Sequence, residues 1–130
     1  MKSSKYILDA SALLASIYNE KSKVDMVHYI ENSSMHYFNV SEVLNVLHRC
    51  GMEMSLASDI VKSLVRSFLP CTYDNAYKAA EIKQKYKHLG ISAGDSFCIS
   101  SSIQYQIPVV TADKAWKEIT EISNNLILIR

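Results

Sequence analysis

Short, largely apolar runs recur along this chain without the polar–apolar alternation of a half-exposed strand, and each but the last is followed by residues at helical spacing. Five such runs stand at Lys5–Leu8, Met35–Phe38, Leu69–Tyr73, Pro108–Thr111 and Leu126–Ile129. Strands that are apolar on both sides need cover on both faces, and the intervening helices supply it. The pattern predicts an α/β fold of three layers around a mostly parallel central sheet.

Between the runs, Ala10–Tyr18 carries Leu13, Leu14, Ile17 and Tyr18 at helical spacing. After the polar turn Asn19–Ser22, the segment Lys23–Glu31 repeats the pattern through Val24, Met26, Val27 and Ile30, so a helical hairpin follows the first strand. Asn39–Cys50 is a helix stopped by Gly51, and Ser55–Phe68 places Leu56, Ile60, Leu64 and Phe68 on one face before Pro70. Asp74–His88 reads as a Lys-rich helix closed by Gly90, Ser92–Gln106 as the next, and Lys114–Ile122 as a short last one.

At 130 residues and 48% hydrophobic, residues 1–130 are expected to form one domain. Fourteen Lys plus Arg against thirteen Asp plus Glu leave a net charge of +1, so any nucleic-acid contact must come from a local basic patch. Asp9 interrupts the N-terminal apolar stretch, no cleavage site follows, and no run reaches the roughly 18 apolar residues of a membrane span. The expectation is a cytoplasmic protein without membrane contact. Cys50, Cys71 and Cys98 form no CxxC pair and read as reduced, small core residues. The four histidines share no metal-ligand spacing and read as surface or packing residues.

Four acidic residues fall at equivalent places: Asp9 after the first strand, Glu42 at the start of the third helix, Asp95 opening another helix, and Asp113 ending the Val109-Val110 strand. In a parallel α/β sheet, strand C-termini and helix N-termini line one edge, so the four can converge there. Taken singly, each has an ordinary reading as a helix cap, and Asn39–Glu42 and Ser92–Asp95 both have capping-box form. Taken together they do not, because two carboxylates about 4 Å apart repel by roughly 4 kcal/mol, against about 1 kcal/mol contributed by a cap. Such a cluster calls for a cation, and oxygen-only donors suit Mg²⁺ or Mn²⁺, which points to phosphodiester hydrolysis.

The segments Tyr6–Leu13, Ser41–Asn45, Ile91–Ser96 and Pro108–Asp113 match, in order and spacing, the PIN domain, and over nearly the whole chain the sequence resembles the VapC toxins of type II toxin–antitoxin systems. The resemblance implies a three-layer PIN-like fold and a Mg²⁺- or Mn²⁺-dependent endoribonuclease. Its catalytic and metal-holding quartet is then Asp9, Glu42, Asp95 and Asp113, supported by Ser11 and Thr111, and a metal-activated water cleaves the RNA phosphodiester. Ser11 has an ordinary alternative as a helix N-cap and Thr111 as a strand-end residue. The chain departs from the family pattern at Ala115, where some relatives carry a further carboxylate. Structured RNA with single-stranded loops, such as transfer or ribosomal RNA, is the implied substrate.

The resemblance also implies a cognate VapB-like antitoxin, a homodimer, and a hetero-oligomer of toxin with antitoxin. The apolar residues of the helical hairpin either pack into the core or form a groove for an amphipathic antitoxin segment. Lys83, Lys87 and Lys114 are candidate phosphate contacts, although a Lys-rich helix is ordinarily a solvated face. The alternative function is a catalytically silent PIN-fold module that binds RNA or protein.

Overall fold

The computed structural model describes residues 4–130. Met1, Ser3 and the first lysine of the N-terminal reading, Lys2, lie outside the described residues. In chain order the elements are β1 (Tyr6–Leu8), α1 (Ala10–Ile17), α2 (Met26–Glu31), β2 (Ser33–His36), α3 (Tyr37–Arg49), α4 (Met54–Leu64), β3 (Ser67–Leu69), α5 (Tyr73–Lys85), α6 (Ala93–Tyr105), β4 (Val109–Thr111) and β5 (Leu126–Leu128). Short 3-10 turns occupy Lys87–Leu89, Lys114–Glu118 and Thr120–Ile122.

The strands form one sheet in the order β3-β2-β1-β4-β5, and every pairing is parallel. Successive residues of a strand face opposite ways, so each strand feeds two cores. Leu8, Met35 and Val110 join the core under α1, α3 and α4, whereas Ile7, Leu69 and Val109 join the one under α5, α6 and the C-terminal 3-10 turns. This is the expected three-layer arrangement. The chain runs outward from β1 to β3, then returns to place β4 on the other side of β1. The connections therefore diverge between β1 and β4, and that crevice is where an open α/β sheet binds ligands.

Several element boundaries differ from the sequence reading. The second strand begins two residues earlier than expected, at Ser33, and ends at His36 rather than Phe38. Ser33 and Ser34 are fully buried yet polar: Ser33 Oγ donates to Tyr29 O and Ser34 Oγ bonds the hydroxyls of Ser4 and Ser67, so no apolar pattern announced them. The imidazole of His36 caps α3, its Nδ1 accepting from Phe38 N at 3.0 Å, which draws Tyr37 and Phe38 into the helix. The helix expected to reach Phe68 stops at Leu64, because Phe68 pairs with Met35 in the sheet. Strand pairing overrides the four-residue spacing there, and Pro70 closes β3 rather than α4.

The second helix is shorter than Lys23–Glu31. Lys23 N is held by Ile129 O at 2.7 Å and Asp25 caps the helix at His28 N. Lys114–Ile122 is two 3-10 turns, not one α-helix. Of the three cysteines, all free, only Cys98 is in the core; Cys50 and Cys71 are exposed. In the hairpin, Leu13 and Ile30 are buried and Leu14, Ile17, Met26 and Tyr29 pack against the core, leaving Tyr18 and Val27 exposed. Most of that apolar surface is therefore core. Among the described residues no helix is long and apolar enough to cross a membrane.

Candidate active site

Asp9 follows β1 directly, and its N–H still joins the sheet ladder to Val110 O at 2.9 Å. The residue stands at the N-cap position of α1, but its side chain caps nothing. The carboxylate instead accepts from Ser11 Oγ at 2.6 Å and Thr111 Oγ1 at 2.9 Å, and the residue is only 3% exposed. Ser11, inside α1, is not an N-cap either: besides donating to Asp9 it accepts from Ala112 N at 3.0 Å, which pins the β4 end to α1. Thr111 donates to Asp9 and accepts from Asp113 N at 3.1 Å. Burial pushes the Asp9 carboxyl up to about 6; the two hydroxyl bonds work against that, and the charges of Asp95 and Glu42 add to it.

Glu42 is placed by α3, one turn further inside the helix than the capping-box reading assumed. Asn39, fully buried, donates through Nδ2 to Glu42 Oε1 at 2.8 Å and to Gly94 O of α6 at 3.0 Å. Both partners are acceptors, which fixes the orientation of the amide. The Glu42 carboxylate lies on the bare Cα of Gly94, where any Cβ would overlap it. Burial raises the Glu42 carboxyl, with the Asn39 bond opposing and the Asp95 charge adding.

Asp95 and Asp113 do act as caps. Ser92 and Asp95 form a reciprocal capping box at the start of α6, and Asp113 Oδ1 accepts from Ala115 N at 3.0 Å. Asp95 is nevertheless raised, first by burial and further by the Asp113 charge, while its bonds to Ser92 and the Lys83 charge oppose the rise. Two further residues were not legible as site residues in the sequence. Asn39 looked like a helix cap, and Cys98 looked like generic core. The buried Cys98 thiol is pushed up by burial and then by the charges of Asp9, Asp95 and Glu42.

Each of the four carboxylates engages protein donors through one oxygen alone: Oδ2 of Asp9, Oε1 of Glu42, Oδ2 of Asp95 and Oδ1 of Asp113. The second oxygens make no hydrogen bond to the described residues. An all-oxygen donor set with one buried, hydroxyl-oriented carboxylate at its base fits a hard divalent cation. Among the described residues no three His, Cys, Asp or Glu side chains already stand at common metal-ligand spacing. Of the basic candidates, Lys83 donates to Ile91 O at 3.0 Å and its charge reaches Asp95, whereas Lys87 and Lys114 are simply exposed.

The sequence pattern of the family described as PIN domain matches residues 6–122, which include all four carboxylates and the first four strands. The chain belongs to the PIN domain family. Solved PIN-fold structures with the same architecture include a toxin–antitoxin complex from Klebsiella pneumoniae, at 12% identity and a TM-score of 0.68 over 94% of this chain and 95% of that one. VapBC2 from Rickettsia felis, solved bound to a DNA fragment from its promoter, gives 18% identity and a TM-score of 0.64, covering 95% of this chain and 96% of that one. VapC20 of Mycobacterium tuberculosis, a Sarcin-Ricin loop cleaving toxin, gives 15% and 0.64, covering 96% and 98%. At these identities the likeness is one of fold. No curated protein matches the chain.

Proposed function

We propose that this PIN domain is a Mg²⁺- or Mn²⁺-dependent endoribonuclease and the toxin of a toxin–antitoxin pair. The observation that carries the reading is Asp9: a buried carboxylate at the crevice between β1 and β4, oriented by Ser11 and Thr111 and within reach of the charges of Asp95 and Glu42. A group so placed costs stability unless it serves a cation. A bound divalent ion supplies positive charge to the scissile phosphoryl group and lowers the pKa of water. Ser11 and Thr111 hold Asp9 in one orientation, Asn39 keeps Glu42 on Gly94, and Ser92 N donates to Asp95 Oδ2 at the N-terminus of α6, whose dipole favours the ionised carboxylate. Asp113 is held at the rim by Ala115 N.

The substrate of this reading is a structured RNA with an exposed loop, such as transfer or ribosomal RNA, cut in the cytoplasm. Lys83, Lys87 and Lys114 are its candidate phosphate contacts. A groove of about 500 Å³ between α3 and α4, lined by Tyr37, Val40, Leu44 and Met54 and bordered by Glu42, suits an amphipathic segment of the antitoxin better than the helical hairpin does. Homodimer formation and a mixed toxin–antitoxin oligomer complete the proposal. The test is incubation of total cellular RNA with the purified chain in Mg²⁺, in Mn²⁺ and in chelator, beside Asp95→Asn. Discrete metal-dependent fragments absent from the variant establish the nuclease. Intact RNA with a folded protein that still binds metal would favour the silent RNA- or protein-binding module.

A further inference from the structure

One helical turn from Glu42, the contact between α3 and α6 has a second rung made of aromatic rings. Phe38 and Glu42 are four residues apart on α3, and Gly94 and Phe97 three apart on α6, so each pair shares a helix face with Cβ atoms about 5–6 Å apart. Glu42 rests on Gly94, and Phe38 rests on Phe97 with ring centroids 5.0 Å apart and planes 25° apart. Phe97 stacks in turn on His36 at 5.1 Å and 23°.

The inner end of this three-ring pile is fixed. His36 is buried, its Nδ1 accepts from Phe38 N at 3.0 Å, and its Nε2 lies 2.7 Å from Asn75 Oδ1. Because Asn75 Nδ2 is taken by Ser100 Oγ at 2.7 Å, Oδ1 is the acceptor, and His36 is the neutral tautomer protonated on Nε2. The outer end is open: Phe38 is 40% exposed although a stack of aromatic rings lies behind it.

We infer that the exposed face of Phe38 is a stacking platform for an unpaired nucleobase next to the phosphate held at the acid cluster. Every base has a π-face, so a base adds to the pile as its fourth ring, and the rigid inner rings keep the entropic cost of ordering the platform low. A duplex offers no free base at that position, so the platform selects RNA that is single-stranded at the cut. This inference rests on the nuclease reading for its location but not for its test.

The test measures binding of a short fluorescein-labelled oligouridine and of a matched RNA duplex, with Mg²⁺, in an Asp95→Asn background where nothing is cut. Phe38→Leu keeps an apolar cover over Phe97 without a π-face, and Phe38→Tyr restores one. The expected result is single-strand affinity about 5- to 100-fold weaker for Leu, recovered for Tyr, with duplex binding unchanged. Thermal melting confirms that Phe38→Leu is folded. Equal oligouridine affinity of parent and Phe38→Leu overturns the platform, as does failure of the parent to bind oligouridine. A chain that cuts no RNA but shows the Phe38 dependence refutes the nuclease and keeps the platform.

Discussion

Asp9 combines an uncomfortable charge with two hydroxyl partners, and its substitution separates stability from function. Its carboxyl stands near 6 when folded, against 3.8 for the free side chain, so in chelator the folded state binds a proton that the unfolded state has lost between those values. Stability from this group therefore falls as pH rises from about 4 to 6 and is then flat. Asp9→Asn is expected to be more stable than the parent by about 1–3 kcal/mol at pH 8, with the difference shrinking toward pH 4, in urea titrations, while RNA cleavage is lost. Gly94 makes a complementary case. In Gly94→Ala the new methyl displaces the Glu42 carboxylate, so cleavage should drop by at least about tenfold while stability changes by about 1–3 kcal/mol or less. Normal turnover by Gly94→Ala would show that Glu42 need not rest there.

At the scale of elements, α6 carries the site and is held at its start by a reciprocal cap. Ser92→Ala removes the hydroxyl that accepts from Asp95 N, while Ser92 N still donates to Asp95 Oδ2, and should cost about 0.5–2 kcal/mol by chemical denaturation, with some loss of cleavage as the first turn of α6 that carries Asp95 loosens. A variant that loses stability but not activity would make the cap purely structural. Helix α3 depends instead on its packed face: Leu47 is fully buried, and Leu47→Ala should cost about 2–5 kcal/mol. The lengths of α1 and α6 were readable from spacing and stop signals, whereas α3 starts two residues earlier than its spacing indicated and α5 ends at Lys85, Gly90 closing the separate 3-10 turn Lys87–Leu89 instead. The end of α4 and the start of β2 were not readable either, because Phe68 fits a helical stripe and a strand equally well and the buried serines of β2 satisfy their hydroxyls across the sheet.

For the whole molecule, two acidic groups oppose one another in pH. Burial works against ionisation at Glu121, but the hydrogen bonds from Tyr86 and Lys85 outweigh it and hold the carboxyl at about 2. Its stabilising contribution is complete above the free value of 4.5 and is lost as pH falls toward 2, the opposite of the Asp9 trend. A divalent ion competes with the proton on Asp9, so Mg²⁺ should raise the melting temperature more at pH 8 than at pH 5, and the increment should vanish in Asp9→Asn. An equal increment at both pH values would place the ion elsewhere.

The alternation of doubly apolar strands with helices was enough to determine the layers and the parallel sheet, since burial on both faces admits little else. Asp9, Asp95 and Asp113 could be located from their places at strand ends and helix starts, whereas Glu42 lies a turn inside α3, and the four together are the proposed site. What each carboxylate does there was decided only by tertiary contacts: Asp9 and Asp113 share one sequence signal, yet Thr111 and Ser11 draw Asp9 away from its helix while Ala115 keeps Asp113 as a cap. The same holds for Asn39, Gly94, Phe97 and Cys98, whose roles come from the approach of α3 to α6. No spacing along the chain encodes that approach, because it is set by how both helices pack on the strands between them.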